Sequence, residues 1–388
     1  MKRRALIVLA LGLLFSTQAA RADWTPVRRI NYTNGHSYYP AAAVNSSNGV
    51  YIVWEENIVD NAEVYLRRSP DGGATWSAIM NLSANAGASM QPAIAVGSNG
   101  SVHVAWEDTA PGDKEIYYRR STDYGDTWDP AKRISLTGGS SEDPSMAVDS
   151  QGTVHVAWYD DTPGNWEIYY ARSTDGGDSW SRARRISWTL GRSMNPTVAV
   201  DPGSNIHIVW HDNTSGNMEV LYKKSPDGGL SWNAGMRISS NLSGVSQCPH
   251  LAIESKNPTH IHVVWYDETP GNPEIYWRES TDGGTTWRGQ PVRLTMNEGN
   301  SYWPAIALDT SDTVHVVWHD TRPGDAEIYY KRSSAGGGVP WSADRRLSWN
   351  SGVSIMPTIA IDSSDSIHVF WHDFAAGNAQ IYYKKYIY

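Results

Sequence analysis

The sequence is short of several things, and each shortage excludes something. Cysteine occurs once in 388 residues, as Cys248. One thiol can form neither a disulfide framework nor a thiolate metal cluster. Phenylalanine occurs 3 times, against 19 Trp and 21 Tyr, so the aromatic core must use rings that carry a polar edge. Lys and Arg number 32 against 41 Asp and Glu, for a formal net charge of −9. That sign does not suit DNA, RNA or an anionic membrane surface as the main partner. No stretch after residue 15 is apolar enough to anchor the chain in a bilayer. No histidines stand at a zinc-like spacing with a third ligand, and no P-loop, dinucleotide, G-x-S-x-G or H-E-x-x-H motif occurs. No metal, no cofactor and no membrane span are expected.

What is present begins with an export signal. Lys2-Arg3-Arg4 precedes the apolar run from Ala5 to Phe15, and Ala20-Arg21-Ala22 closes the segment. A basic start, a short greasy core and an A-x-A end form a secretory signal peptide over 1–22. The expected location is therefore secreted or periplasmic.

The remainder, 23–388, reads as one domain in which one unit is written seven times. A Trp ends an alternating run at 54, 106, 158, 210, 265, 318 and 371. Each copy has the same order: Ser-x-x-Pro, an apolar stretch, Val-His-Val-x-Trp, x-Asp, a Gly/Pro/Asn turn, Glu-Ile-Tyr-Tyr, a second turn, then Arg-Ile-Ser. The period inside a copy is two, which predicts strands and no helix. In the third copy the strands fall at Pro144 to Val148, Val154 to Trp158, Glu167 to Arg172 and Trp180 to Ser187. Tandem four-stranded units of about 50 residues make radial propellers. The seventh copy ends without a fourth strand. Trp24 to Ile30 matches Trp180 to Ile186 in spacing and can supply it. The fold class is therefore all-β: a seven-bladed β-propeller of four-stranded antiparallel blades, the last closed by the amino-terminal strand.

Ser69-Pro70-Asp71-Gly72-Gly73-Ala74-Thr75-Trp76 recurs at Ser121 to Trp128, Ser173 to Trp180, Ser225 to Trp232 and Ser280 to Trp287, with a degraded sixth copy at Ser333 to Trp341. This turn resembles the Asp-box, or bacterial neuraminidase repeat, of sialidases and related propellers. The resemblance covers essentially 23–388. It implies that the Asp boxes are fold elements on the face away from the active site. The opposite face, built from the loops before the first strand and after the second, is then the candidate site.

Aromatic and polar side chains collect in those loops. Tyr38, Tyr39, Tyr159, Trp166, Tyr302 and Trp303 offer flat rings for stacking on sugar C–H faces. His211, His319 and His372, in the Trp-x-Asp loops, and Arg192 and Arg322 offer polar contacts. These eleven residues are the candidate ligand-binding set. Tyr266, Trp188 and Trp349 occupy the same loops, the last two sharing one position. The seven acids of the Trp-x-Asp loops and the glutamates opening the third strands recur in nearly every copy, which points to folding rather than to one reaction. So do the histidines of Val-His-Val.

A sialidase of the resembled family holds its substrate carboxylate with three arginines, the first in an Arg-Ile-Pro motif, and uses a Tyr nucleophile with a Glu and an Asp. Here the residues before each Pro are never Arg, and the candidate face offers only Arg192 and Arg322. No catalytic residue is assigned. The leading expectation is an exported, sialidase-like propeller that binds a glycan or other extracellular ligand as a monomer without turnover. An exo-sialidase or other glycoside hydrolase with a rearranged site, and an extracellular protein-interaction scaffold, stand as alternatives.

Overall fold

The computed structural model describes residues 23–58, 61–239, 243–333 and 339–387. The expected signal peptide over 1–22 and part of the degraded sixth turn lie outside the described residues. Among the described residues every element is a β-strand, and no helix is long and apolar enough to cross a membrane.

Seven antiparallel sheets follow one another around a ring. Blades 1 to 6 span 36–81, 89–133, 141–185, 193–237, 246–293 and 301–346, and blade 7 takes 354–387. Within each, the strands pair in chain order from an innermost strand, which lines the central channel, to a two-residue outer strand. The fourth strand is shorter than the periodicity predicts: Arg184–Arg185 pair, while Trp180 stands outside the ladder. Blade 7 is closed from the amino end. Asp23–Trp24 and Arg28–Arg29 both pair with the last strand, Gln380–Ile387, with Asp23 opposite Ile387.

The repeated residues hold blade to blade. The seven Trp that end the second strands are fully buried; each such ring removes on the order of 200 Å² from water. The Trp of each intact turn inserts between blades. Trp180 meets Tyr118 of the preceding blade edge-on at 4.8 Å, and Trp232 meets Tyr170 at 5.3 Å. The second-strand histidines steady those tyrosines from behind: His155 Nδ1 is 2.7 Å from the Tyr170 hydroxyl, and His207 Nδ1 is 2.8 Å from that of Tyr222. The loop acids serve the fold as their recurrence suggests. Asp160 accepts from the Ser141 hydroxyl at 2.7 Å and from the Thr162 N–H at 2.9 Å. The third-strand Glu167 accepts from Arg185 Nη2 at 2.6 Å.

The Asp-box turn is closed by its own side chains. Asp71 Oδ1 accepts from the Thr75 N–H at 2.8 Å, and the Ser69 hydroxyl accepts from the Gly73 N–H at 2.8 Å. Donation from the Thr75 hydroxyl and the Thr75 N–H holds the Asp71 carboxyl down at about 2. The second glycine is required twice over. Gly177 has φ +104°, and a Cβ there would stand on the Tyr118 hydroxyl of the neighbouring blade.

Candidate site at the channel mouth

The innermost strands all break register at one place. In blade 3 the pairing runs Glu142 to Tyr159 and then Ser145 to Ala157, so Asp143 and Pro144 together face Trp158. This is a β-bulge. Its second residue is always Pro, which has no N–H to leave unpaired. Its first residue is always left-handed: Tyr39, Gln91, Asp143, Asn195, Cys248, Trp303 and Met356 have φ between 46° and 52°. No two of these seven are alike. A non-glycine residue in that region is uncommon, and seven in a ring place strain at one level of the channel.

The bulge aims these side chains at the channel mouth, on the face opposite the Asp boxes. They line the upper wall of a cavity of about 420 Å³ formed only by the innermost strands. The ring is divided. Blades 1 to 4 present Tyr39, Gln91, Asp143 and Asn195, all able to hydrogen-bond. Blades 5 to 7 present Cys248, Trp303 and Met356, which are apolar or nearly so.

A second ring stands behind the first. It comprises the middle residue of each Trp-x-Asp: Glu55, Glu107, Tyr159, His211, Tyr266, His319 and His372. Four of them reach across to the next blade and accept its bulge N–H. Glu55 Oε2 takes Gln91 at 3.4 Å, Glu107 Oε2 takes Asp143 at 3.0 Å, His211 Nδ1 takes Cys248 at 3.4 Å, and His319 Nδ1 takes Met356 at 3.4 Å. These contacts fix both the orientation of the strained residues and the tautomers of two imidazoles. His372 Nδ1 is buried without a hydrogen-bond partner among the described residues.

The polar half is acidic. Lys114 Nζ lies 2.9 Å from Glu107 and 3.1 Å from Glu142, and Asp143 Oδ2 accepts from Asn195 Nδ2 at 2.7 Å. Burial, with Glu107 nearby, pushes both Glu55 and Asp143 up to about 7. In the other half burial acts on bases: His211 and His319 are held down at about 4 and His372 at about 3. Those imidazoles are neutral at pH 7. Burial drives the Cys248 thiol up to about 12, which leaves it unreactive.

The structure gathers eight of the eleven candidate residues into three groups around this mouth. Tyr38 lies tilted beside Tyr39, at 6.5 Å, and meets His372 edge-on at 5.4 Å. Tyr302, Trp303 and His319 form a second group, with Trp303 stacked on His319 at 5.6 Å and Tyr266 alongside. Tyr159 meets Trp166 edge-on at 5.0 Å and donates to Glu142 at 3.2 Å. His211 stands apart from these groups, under Cys248. Arg192 is exposed and outside the channel lining, its backbone N–H on Asn213 Oδ1 at 2.7 Å. Arg322 is engaged by Asp320 at 2.6 Å and Asp344 at 2.7 Å, and lies over the Tyr329 ring. Among the described residues no arginine lines the channel.

Sequence reasoning passed over Gln91, Asp143, Asn195, Cys248 and Met356 as site residues. The signal was there: the position before each Pro is one where seven copies disagree completely while their neighbours repeat.

Comparisons with known proteins agree with this architecture. Residues 104–264 match the family described as BNR repeat-like domain. Xyloglucanase Xgh74A of Acetivibrio thermocellus is 25% identical over 325 residues, which cover 72% of this chain and 35% of that protein. The chain thus spans about a third of that relative's length. Among solved structures, a protein from Dyadobacter fermentans superposes with TM-score 0.59 at 15% identity, covering 93% of this chain and 99% of that one. An α-L-arabinofuranosidase from Fusarium graminearum gives 0.56 at 14%, covering 76% and 92%. The Hadza microbial sialidase Hz136 gives 0.53 at 16%, covering 87% and 76%.

Proposed function

We propose that the channel mouth of this seven-bladed β-propeller, whose residues 104–264 match the BNR repeat-like domain, binds a glycan end without cleaving it. One observation carries this reading: the divided ring, in which the flat rings of Tyr39 and Trp303 share a single opening with the hydrogen-bonding groups of Gln91, Asp143 and Asn195. A sugar has the same division, with apolar C–H faces and a polar edge of hydroxyls, and small-ligand sites combine apolar walls with a few placed polar groups. The strained bulges hold these groups in place before any ligand arrives, which lowers the ordering cost of binding. The acids nearest the opening are occupied. Glu107 is shared between Lys114 and the Asp143 N–H, and Glu55 caps the Gln91 N–H. The sign of the mouth, acidic and free of arginine, favours a neutral or basic sugar over a sialic acid.

A glycan array probed with the full chain tests the reading. Binding is expected for the wild type and is expected to fall about tenfold in Trp303→Ala. An array without hits would overturn it. A second reading rests on Glu55 and Asp143, whose carboxyls sit near 7, where a general acid works best. Under that reading the mouth is a glycoside hydrolase site with a rearranged acid pair. Release of aryl aglycone from a panel of fluorogenic glycosides, abolished in Asp143→Asn, would replace the first reading with the second.

A further inference from the structure

Three aromatic side chains stand clear of the disc on the rim of the mouth face, outside the channel lining. Trp188 is 73% exposed, Trp349 69% and Tyr32 74%. They occupy one equivalent place, three residues after the arginine of the outer strand, in blades 3, 6 and 7. In each, that arginine lies over the ring: Arg185 Cζ is 4.2 Å from the centre of Trp188, Arg346 4.3 Å from that of Trp349, and Arg29 4.8 Å from that of Tyr32. One face of each ring is therefore covered by a guanidinium and the other meets water.

The guanidinium is itself fixed. Arg185 donates to Glu167 at 2.6 Å and to the Ser187 carbonyl at 2.8 Å, and Arg346 donates to Glu327 at 2.5 Å and to the Ser348 carbonyl at 2.8 Å. The same ladder stands in blades 2 and 5, where Arg133 pairs with Glu115 and Arg293 with Glu274. There its tip is Leu136 or Met296. The ladder thus holds without an aromatic cap, and folding does not explain why three blades carry one.

We propose that Trp188, Trp349 and Tyr32 form a second carbohydrate-binding surface, separate from the mouth, that takes a neutral polysaccharide. Each is a single plate, oriented before contact, with Ser, Thr, Asn and Gly in its loop, and the loop of Trp188 also carries the exposed Leu190 and Arg192. A plate with polar surroundings suits a sugar ring laid flat. It does not suit a protein partner, whose interface needs about 800 Å² per side around a packed apolar centre. The arginine beneath each indole is matched by a glutamate, so those two plates have no net charge to select an ionic polymer; Arg29 beneath Tyr32 is met by the neutral Gln380 instead, and a chain at −9 repels acidic polymers. The plates lie on different blades, so a short oligosaccharide meets one of them while a polymer can engage several. The surface does not depend on what the mouth binds.

Affinity electrophoresis of the full chain in gels containing xyloglucan, and separately galactomannan, tests this. The wild type is expected to be retarded in at least one. The double variant Trp188→Ala, Trp349→Ala is expected to lose that retardation by about tenfold or more in apparent affinity, with an unchanged melting temperature. Trp303→Ala, a mouth variant, is expected to keep at least half the wild-type retardation, and the rim variant to keep wild-type hits on the array of short glycans. Retardation of the double variant equal to the wild type, or no retardation of the wild type, overturns the proposal. So does sedimentation of the wild type as a dimer and of the double variant as a monomer, which would assign the rim to a second copy.

Discussion

The two faces of the disc are made by the same repeat and behave oppositely. On the Asp-box face five blades agree: Ser, Asp, Gly and Trp recur in place, Ser and Asp closing their own turn and Gly and Trp packing on the preceding blade. On the mouth face the backbone agrees and the side chains do not. Seven bulges share one φ within a few degrees and carry seven different residues. The lesson is that a repeat protein can keep its stability in what is copied and its specificity in what is not. The copied frame holds the uncopied residues in a conformation they would not choose alone.

The contrast can be broken most severely from the copied side. Trp158→Ala should remove about 3–5 kcal/mol of stability, read as a large fall in the chemical-denaturation midpoint. A midpoint within error of the wild type would show that the second-strand indoles are not the core. Gly177→Ala comes next. A side chain there meets both an unfavourable φ and the Tyr118 hydroxyl, and should cost about 1–3 kcal/mol. Loss of glycan binding without loss of stability in that variant would place function on the wrong face. From the uncopied side, Trp303→Ala should leave the melting temperature within a degree or two while weakening the ligand by about tenfold. A fall of many degrees would make Trp303 part of the frame.

The smallest effect sharpens the division within the mouth. Glu55 rises from an ordinary 4.5 to about 7 and Asp143 from 3.8 to about 7. The folded state therefore favours their protonated forms. Their contribution to stability is complete below about pH 4 and is lost as pH rises through 7. The neutral histidines run the other way, contributing above about 6.5 and fading as pH falls toward 4. Glu55→Gln keeps an oxygen for the Gln91 N–H and removes the titration. Its melting temperature, relative to wild type, should rise steadily between pH 4 and pH 8. A pH-independent difference would mean that Glu55 is ordinary in the folded state.

The frame was legible in the sequence because copying is itself a signal. Seven Trp at near-equal spacing, a period of two, and an amino-terminal segment matching a missing strand were enough for blade number and closure. The Asp boxes marked their own face. The mouth was half legible. Aromatic residues such as Tyr39 and Trp303 announce themselves by size and by standing off the repeat. Gln91, Asn195 and Met356 do not, because each is an ordinary residue whose importance comes from a left-handed bulge. A residue before Pro is steered toward extended backbone, so local rules point away from the conformation that tertiary pairing imposes. The partnering of Arg322 with Asp344 across 22 residues was equally hidden. Sequence spacing says which loop an arginine belongs to, and not which carboxylate reaches it first.

The pairing of Asp23 with Ile387 has a consequence in time. The segment that leaves the ribosome first among the described residues must wait, unpaired, until the last strand has been made. Six blades can stack in order as they emerge, but the ring cannot shut until Gln380–Ile387 has been made, and its final step joins the most distant of the described strands. Until then blade 7 presents a bare strand margin, the most hazardous moment in the life of this molecule for mispairing with a sister chain.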